Sequence, residues 1–336
     1  MSTFVKLIKE ICEEKDITCT GFSGDWAFLL TKEDKKAFIF GYQFGLDLAA
    51  QAAVCKDKAI AADMMEHLGI PCVPHTCFMS PAHPEYIFGE SGYYADMIAL
   101  LKKYKKVVCK DNQGTGGHLV FVAQTQKELE YAAHCIYAEA PSMCIAPYVP
   151  IRDELRCIML DGKPAVVFRK CRPQLIGDGE HSVQELLAMK VAEDSAFADR
   201  LLSGETVSYD FEHGDKKHKK GAYVPKKGET YVLSWKHNLG QGAAPEILYS
   251  FDHLKIHVPN EDLEAVSKSI ELAKQVTDAF KLRFVSCDVI RTFDDHYMIL
   301  EVNNGVMMEN LASYNDAYYK LAKKIYTKAI EKSLKA

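Results

Sequence analysis

The sequence feature that most constrains the fold is a hairpin pattern near the carboxyl terminus. Within residues 284–303, two apolar runs rich in β-formers flank a pair of adjacent aspartates, which is the pattern of a β-hairpin. With the turn centred on those aspartates, Asp288 lies opposite Glu301, on the same face of the strand pair. Asn303 is two residues beyond Glu301, so it shares that face.

Like charges directly opposite each other destabilise a pair of strands, so this arrangement needs a reason. A hard divalent cation supplies one, because Mg²⁺ takes oxygen ligands and bridges to substrate phosphates. The alternative is an exposed sheet face on which the charges are solvated. The apolar residues around Val302 indicate an embedded strand, which favours a metal site formed by Asp288, Glu301 and Asn303.

A second candidate site is a glycine-rich turn between two predicted strands. The strand at 106–110 ends at Lys110, and a strand-like run follows at 119–122. Phosphate loops and dinucleotide fingerprints place a helix after their glycines, so a flap over a triphosphate fits better. Glycine lets backbone N–H groups approach an anion, and a lysine adds a point charge. A plain structural hairpin is the alternative. The turn contains Gly114, Thr115, Gly116 and Gly117.

The pattern of the rest of the chain indicates helices interspersed with strands, which predicts an α+β fold with mixed sheets. Apolar spacing and capping residues locate the helices, and the length favours two or three subdomains. Residues 81–95 are predicted to be a loop. Helices are predicted at 3–14, 58–68, 97–104 and 125–137, from 182, from 260 and at the carboxyl end, and strands at 26–30, 37–40, 143–149, 155–160 and 164–169.

Composition excludes several classes of protein. A net charge of −5 offers no general attraction to nucleic acid or to anionic membranes. Eleven cysteines, an odd number without a C-x-x-C pair, argue against a disulfide scaffold and a zinc ribbon. No apolar run approaches membrane-spanning length, and the amino terminus has helical spacing rather than a signal peptide. We therefore predict a cytoplasmic protein that binds neither nucleic acid nor membrane.

In their order along the chain, these motifs resemble the ATP-grasp superfamily. The marks are Asp57-Lys58 opening a helix, Lys110 before the flap, and an Asp-to-Glu-to-Asn spacing similar to that of the D-alanine–D-alanine ligase branch. Two further stretches, 170–186 and 238–242, resemble the cyanophycin synthetase and glutathione-ligase-like branch. The likeness covers residues 55–310, which is most of the chain.

This resemblance implies an α+β, ATP-grasp fold in which two α+β subdomains clamp ATP beside a short N-terminal α/β unit. The N-terminal unit would span 1–55. A small subdomain carrying the flap would span 56–150, and a large subdomain carrying the metal-binding hairpin would span 151–336.

The resemblance also implies roles for individual residues. Lys58 and Lys110 would bind the α- and β-phosphates, and the flap would cover the β- and γ-phosphates. The hinge at 143–149 would bind adenine through backbone groups. Glu154 or Asp153 would accept hydrogen bonds from the ribose hydroxyls. The hairpin would hold one or two Mg²⁺, with Mn²⁺ as an alternative. The implied nucleotide-binding set is Lys58, Lys110, Gly114–Gly117, Ala146, Tyr148, Val149, Asp153 and Glu154, and the implied catalytic set is Arg156, Lys170, Arg172, Lys236 and Asn238.

Three positions depart from the pattern of the family. Ala146 stands where a glutamate is common, and Pro147 removes an N–H from the hinge. Ser286 stands where some relatives carry an arginine, so oxyanion stabilisation would come from elsewhere, with Lys236 as a candidate.

The resemblance implies an ATP-dependent, ADP-forming ligase that joins a small-molecule carboxylate to an amine through an acyl phosphate. An amino acid or short peptide is the expected substrate, and a homodimer is compatible with the family. The alternatives are a kinase on the same scaffold and a nucleotide-binding regulator without turnover. The intact Lys110, Asp288, Glu301 and Asn303 argue against the regulator. A lysine-rich segment at 213–227 would either steer an anionic substrate or form a solvated hairpin tip.

Overall fold

The structure is a computed structural model that describes residues 2–80, 94–172, 174–193, 222–233, 244–252 and 258–335. It divides into two compact units, one made of Met1–Arg169 with Ile247–Ala336 and the other of Lys170–Glu246. The subdomain boundaries expected at residues 55 and 150 stay predictions. Most of the predicted loop at 81–95 lies outside the described residues.

The amino-terminal part of the first unit is one helix packed on a three-stranded antiparallel sheet. Helix α1 (Thr3–Glu14) buries apolar residues at three- and four-residue steps. Strands β1 (Thr18–Phe22), β2 (Ala27–Lys32) and β3 (Lys35–Phe40) follow in the order β1-β2-β3. The sequence predicted α1, β2 and β3. It missed β1, because this strand is almost entirely exposed and shows no alternation of apolar residues.

A four-stranded antiparallel sheet carries the glycine-rich turn. Strands β4 (Thr76–Met79), β5 (Val107–Asp111), β6 (Val120–Ala123) and β7 (Ser142–Pro147) have the order β4-β7-β5-β6. The turn is followed by a strand rather than a helix, as predicted. Helices α2 (Ala49–Lys56), α3 (Lys58–His67), α4 (Tyr94–Tyr104) and α5 (Gln126–Glu139) complete this part, and α4 and α5 share one apolar core with the sheet.

A five-stranded sheet carries the predicted hairpin. Strands β8 (Ile151–Leu160), β9 (Lys163–Cys171), β12 (Ala244–Ser250), β13 (Phe284–Thr292) and β14 (Tyr297–Asn303) have the order β12-β9-β8-β13-β14. Helix α7 (Asn260–Phe280) packs on one face through a core that contains Cys157, Val276, Val285 and Cys287. The opposite face is thereby left to the polar residues of the candidate site.

The second unit is small. Strands β10 (Gln174–Ile176) and β11 (Thr230–Val232) pair antiparallel, and helix α6 (Val183–Glu193) packs beside them around Leu175 and Leu233. The capping box predicted at the start of α6 is confirmed: Ser182 N donates to Glu185 Oε2 over 2.8 Å.

The chain closes with α8 (Glu309–Ala312) and α9 (Asp316–Ser333). A buried tyrosine of α9 holds the segment that follows β14. The Tyr326 hydroxyl donates to Val306 O over 2.8 Å and accepts from Met308 N over 2.9 Å. Throughout the described ranges, no helix is both long and apolar enough to cross a bilayer.

Replacement of Tyr326 by phenylalanine is expected to lower the free energy of unfolding by about 1–3 kcal/mol, because a buried N–H and a buried C=O lose their partner. Urea denaturation measures the effect. Tyr314→Phe, at a half-exposed tyrosine, is the matched control and should change stability by less than about 0.5 kcal/mol. Equal effects of the two variants would contradict the role assigned to the Tyr326 hydroxyl.

Candidate functional site

The predicted pairing of the carboxylate hairpin is confirmed. Asp288 is the direct partner of Glu301, and Ser286 is the partner of Asn303. Between Asp288 and the turn the register shifts by one residue, which leaves Leu300 as the extra residue of a β-bulge. The turn is therefore displaced from its expected centre, while Glu301 and Asn303 stay on the face of Asp288.

Arg156 on the neighbouring strand neutralises Asp288. The two residues are direct partners in the β8–β13 pairing. Arg156 Nε and Nη2 each donate to a different oxygen of Asp288 over 2.7 Å, and Asp288 is only 2% exposed. Burial alone would lower the pKa of Arg156, but the Asp288 carboxylate raises that pKa above its ordinary value. The pair is thus a bidentate, charge-assisted ion pair that is largely shielded from solvent.

Lys58 links the helix, the flap and the hairpin. It is the first residue of α3, which Asp57 caps by accepting from Ile60 N over 3.0 Å. Its Nζ donates to Gly114 O over 2.5 Å and lies 3.3 Å from Glu301 Oε1. The predicted phosphate-binding lysine therefore contacts both the glycine-rich turn and one of the predicted metal ligands.

Asn112 fixes the base of the flap, and sequence reasoning missed it. Its side-chain oxygen accepts from Ala59 N over 3.1 Å, and its backbone oxygen accepts from Lys58 N over 3.2 Å. Together with the Asp57 cap, these bonds satisfy the first N–H groups of α3. An anion at this end of α3 would therefore meet the ammonium of Lys58 rather than free backbone donors. The sequence signal was limited to two adjacent amide side chains, Asn112 and Gln113, between Lys110 and the glycines.

Lys110 lies near the end of β5, where its Nζ is 3.2 Å from His75 Nε2. Lys110 is the β-sheet partner of Cys144. Burial raises the pKa of the Cys144 thiol to about 11, with Lys110 and Lys58 opposing that rise and Glu301 adding to it. The charges of both lysines and of the hairpin carboxylate thus act on one buried thiol.

The flap needs glycine at its tip. Gly116 and Gly117 have φ values of +70° and +75°, which glycine adopts without steric penalty. At Gly114, a Cβ would come within 2.8 Å of Asp111 Cβ. Thr115, between them, is exposed. The turn predicted from composition is therefore also required by backbone geometry.

The predicted hinge lies at the end of β7. Ala146 is buried against Val73 and Ile290. Tyr148 N donates to Lys106 O over 3.0 Å, and Lys106 Nζ lies 3.5 Å from the centre of the Tyr148 ring. Pro147 has no N–H, and the N–H of Tyr148 is already bonded, so neither residue offers a backbone N–H to a base. A cleft of about 500 Å³ adjoins the hinge, lined by Tyr148, Val149, Pro150, Thr292, Phe293 and Asp294.

Strand alternation separates the two candidate ribose acceptors. Glu154 lies on the face of Arg156 and Asp288 and is 5% exposed. Asp153 points to the opposite face, where Arg169 Nε lies 3.0 Å from its Oδ1. Of the two, Glu154 is the one on the same face as the rest of the site.

Four of the predicted catalytic residues belong to the second unit or lie outside the described residues. Lys170 is buried and Arg172 is half-buried, and both lie in the second unit. Lys236 and Asn238 lie outside the described residues, as does the part of the basic segment before residue 222. These four residues stay predictions.

The donor set of the hairpin fits Mg²⁺, because two carboxylates and an amide oxygen share one face and Mg²⁺ prefers oxygen ligands. Each carboxylate also has a cation beside it, Arg156 for Asp288 and Lys58 for Glu301. Among the described residues, no group of three or more His, Cys, Asp or Glu side chains forms a metal site. The candidate therefore depends on Asn303 as the third ligand.

None of the protein-family models matches the chain. A stretch of 120 residues, 34% of this chain, is 30% identical to the glutathione biosynthesis bifunctional protein GshAB of Streptococcus thermophilus and spans 15% of that protein, in each of two strains. The fold is similar to the crystal structure of a bifunctional glutathione synthetase from Pasteurella multocida, with a TM-score of 0.53 at 15% identity. That superposition covers 98% of this chain and 44% of the other. The chain thus matches less than half the length of either protein.

Proposed function

The chain has the ATP-grasp fold, and on that premise we propose that it is an ATP-dependent carboxylate–amine ligase. A carboxylate oxygen of the first substrate attacks the γ-phosphorus of ATP, ADP leaves, and an acyl phosphate forms. The amine then attacks the acyl carbon, phosphate leaves, and the amine loses a proton. The observation that carries the proposal is the Lys58 ammonium, in contact with both the flap and Glu301.

The chemistry is mainly charge neutralisation and positioning, because the nucleophile and the triphosphate are both anionic. Lys58 is 8% exposed, and a charge in such a poorly solvated place acts more strongly on phosphate oxygens than it would in water. Lys110 adds a second positive charge beside it. The flap, with glycines at its tip, excludes water from the labile acyl phosphate when it closes.

The hairpin would hold one or two Mg²⁺ through Asp288, Glu301 and Asn303, and such an ion supplies positive charge at the β- and γ-phosphates. Arg156 holds the Asp288 carboxylate in one orientation by its two hydrogen bonds. The adenine would lie against the hinge carbonyls around Tyr148, and Glu154 would accept from the ribose hydroxyls.

The expected substrates are argued from sequence similarity. The likeness to a glutathione biosynthesis protein over 120 residues supports an amino acid or a short peptide as the acid. Lys170, Arg172, Lys236 and Asn238 are proposed to contact the γ-phosphate or the acyl phosphate. A homodimer and a cytoplasmic location stay predictions.

The proposal is tested by supplying MgATP, pools of amino acids and dipeptides, and hydroxylamine. An acyl phosphate reacts with hydroxylamine, so a hydroxamate should form together with one ADP per hydroxamate. Without hydroxylamine, ADP release should require both an acid and an amine. A stable phosphorylated product formed without an amine would instead identify a kinase. ATP binding without turnover on any pool would identify a nucleotide-binding regulator.

A further inference from the structure

A buried histidine lies beside the candidate phosphate site without a role in the proposed chemistry. His75 is 4% exposed and immediately precedes β4. The segment leading to it is fixed to the hairpin, because Val73 N donates to Ile299 O over 2.9 Å and Ile299 N donates to Pro71 O over 2.9 Å. His75 is therefore held between β14, which carries Glu301, and the sheet that carries Lys110.

The hydrogen bonds of His75 define its tautomer. Nδ1 lies 2.8 Å from Val73 O, and a carbonyl oxygen can only accept, so Nδ1 carries the proton. Nε2 lies 3.2 Å from Lys110 Nζ, and an ammonium can only donate, so Nε2 presents its lone pair. Burial, with Lys110 and Lys58 nearby, holds the pKa of His75 well below its ordinary value, which keeps the ring neutral.

A neutral acceptor orients an ammonium without cancelling its charge. Lys58, by contrast, is partly balanced by Glu301 at 3.3 Å. Among the described residues, no carboxylate forms an ion pair with Lys110, whose side-chain partner is His75. The full positive charge of Lys110 is thus held in one place and stays available to an anion.

We propose that His75 is a positioning residue, which accepts a hydrogen bond from Lys110 through Nε2 and aims that ammonium at a nucleotide phosphate. The proposal rests on the proposed function, because it assumes that Lys110 meets a phosphate. His75 itself touches neither substrate nor metal in this scheme. Its effect is exerted only through the lysine.

The test compares His75→Leu, which removes the acceptor, with His75→Gln, which returns an amide oxygen near the position of Nε2. Binding of the non-hydrolysable analogue AMP-PNP with Mg²⁺ is measured by calorimetry, and adenosine is the phosphate-free control. His75→Leu should weaken AMP-PNP binding about tenfold and adenosine binding less than about twofold. His75→Gln should stay within about threefold of the unmodified protein for both.

A purely structural role for His75 would lower the affinities for AMP-PNP and adenosine together, and glutamine would not restore them. In a Lys110→Met background, His75→Leu should cause no further loss of AMP-PNP affinity, because its effect is exerted through the lysine. An additional loss there would overturn the proposal.

The failure of this inference is distinguishable from the failure of the ligase proposal. If the unmodified protein binds no AMP-PNP, the ligase proposal falls, and with it the phosphate role of His75. If it binds AMP-PNP and His75→Leu binds equally well, only the positioning role falls. The ¹⁵N chemical shifts of His75 report the tautomer in either case, and a protonated Nε2 would contradict the geometry on which the inference rests.

Discussion

Replacement of Glu301 by glutamine is expected to lower ligase turnover by about a thousandfold while the protein stays folded. The substitution keeps the size of the side chain but removes the negative charge that faces Lys58 and the proposed metal, and losses of this order follow removal of a group that stabilises transition-state charge. The fold should survive, because the side chain of Glu301 is 24% exposed and its strand is the last of the five-stranded sheet. ADP release and thermal unfolding measure the two effects.

The matched control is Glu271→Gln on the exposed side of α7, where the glutamate pairs loosely with Lys268 at 3.6 Å. This variant should retain full turnover, since exposed ion pairs contribute little. Full activity in Glu301→Gln would remove the metal assignment. Loss of activity accompanied by a large drop in the unfolding temperature would assign Glu301 a structural role instead.

Replacement of Asp288 by leucine is expected to lower the free energy of unfolding by about 3–5 kcal/mol, because it leaves the Arg156 guanidinium buried without its partner. Asp288 is 2% exposed and the Arg156 side chain is 17% exposed, so water replaces the lost contact only in part. Urea denaturation measures the change. Turnover should also be lost, since a proposed metal ligand is removed.

The double variant Asp288→Leu with Arg156→Met separates the effect of an unpaired arginine on stability from the effect of a missing metal ligand on turnover. A buried ion pair can be exchanged for apolar residues of similar size at little net cost, so the double variant should recover most of the stability but none of the activity. Asp278→Leu, at an exposed pair with Lys274, is the control for loss of a carboxylate. If the double variant is as unstable as Asp288→Leu, the stability loss does not arise from an unpaired arginine.

Local patterns predicted most of the secondary structure. Helices α3, α5, α6 and α7 were located from apolar spacing and capping residues, which are only a few positions apart in the sequence. The hairpin was equally local, because its two strands are adjacent in sequence. The sequence alone therefore predicts the pairing of Asp288 with Glu301.

The sequence patterns predicted neither the strands β1, β4, β10, β11 and β12 nor helix α2, and two of these elements show why. Strand β1 is exposed and shows no alternation. Helix α2 is alanine-rich, and its eight residues have a single fully buried side chain, Cys55. The bulge at Leu300 was missed because it depends on tertiary packing. Ile299 and Val302 on either side of it are buried in the same core, and a hairpin pattern in the sequence carries no information about that packing.

By itself, the sequence determined the regularly patterned helices and strands and which carboxylates share a face, because those properties depend on periods of two and 3.6 residues along one chain. Only the tertiary structure decided that Arg156 neutralises Asp288, that Asn112 ties the flap to α3, and that His75 accepts from Lys110. Each of these contacts joins segments at least 35 residues apart. Spacing along a chain does not specify which distant strand becomes the neighbour, since that choice depends on how whole faces pack.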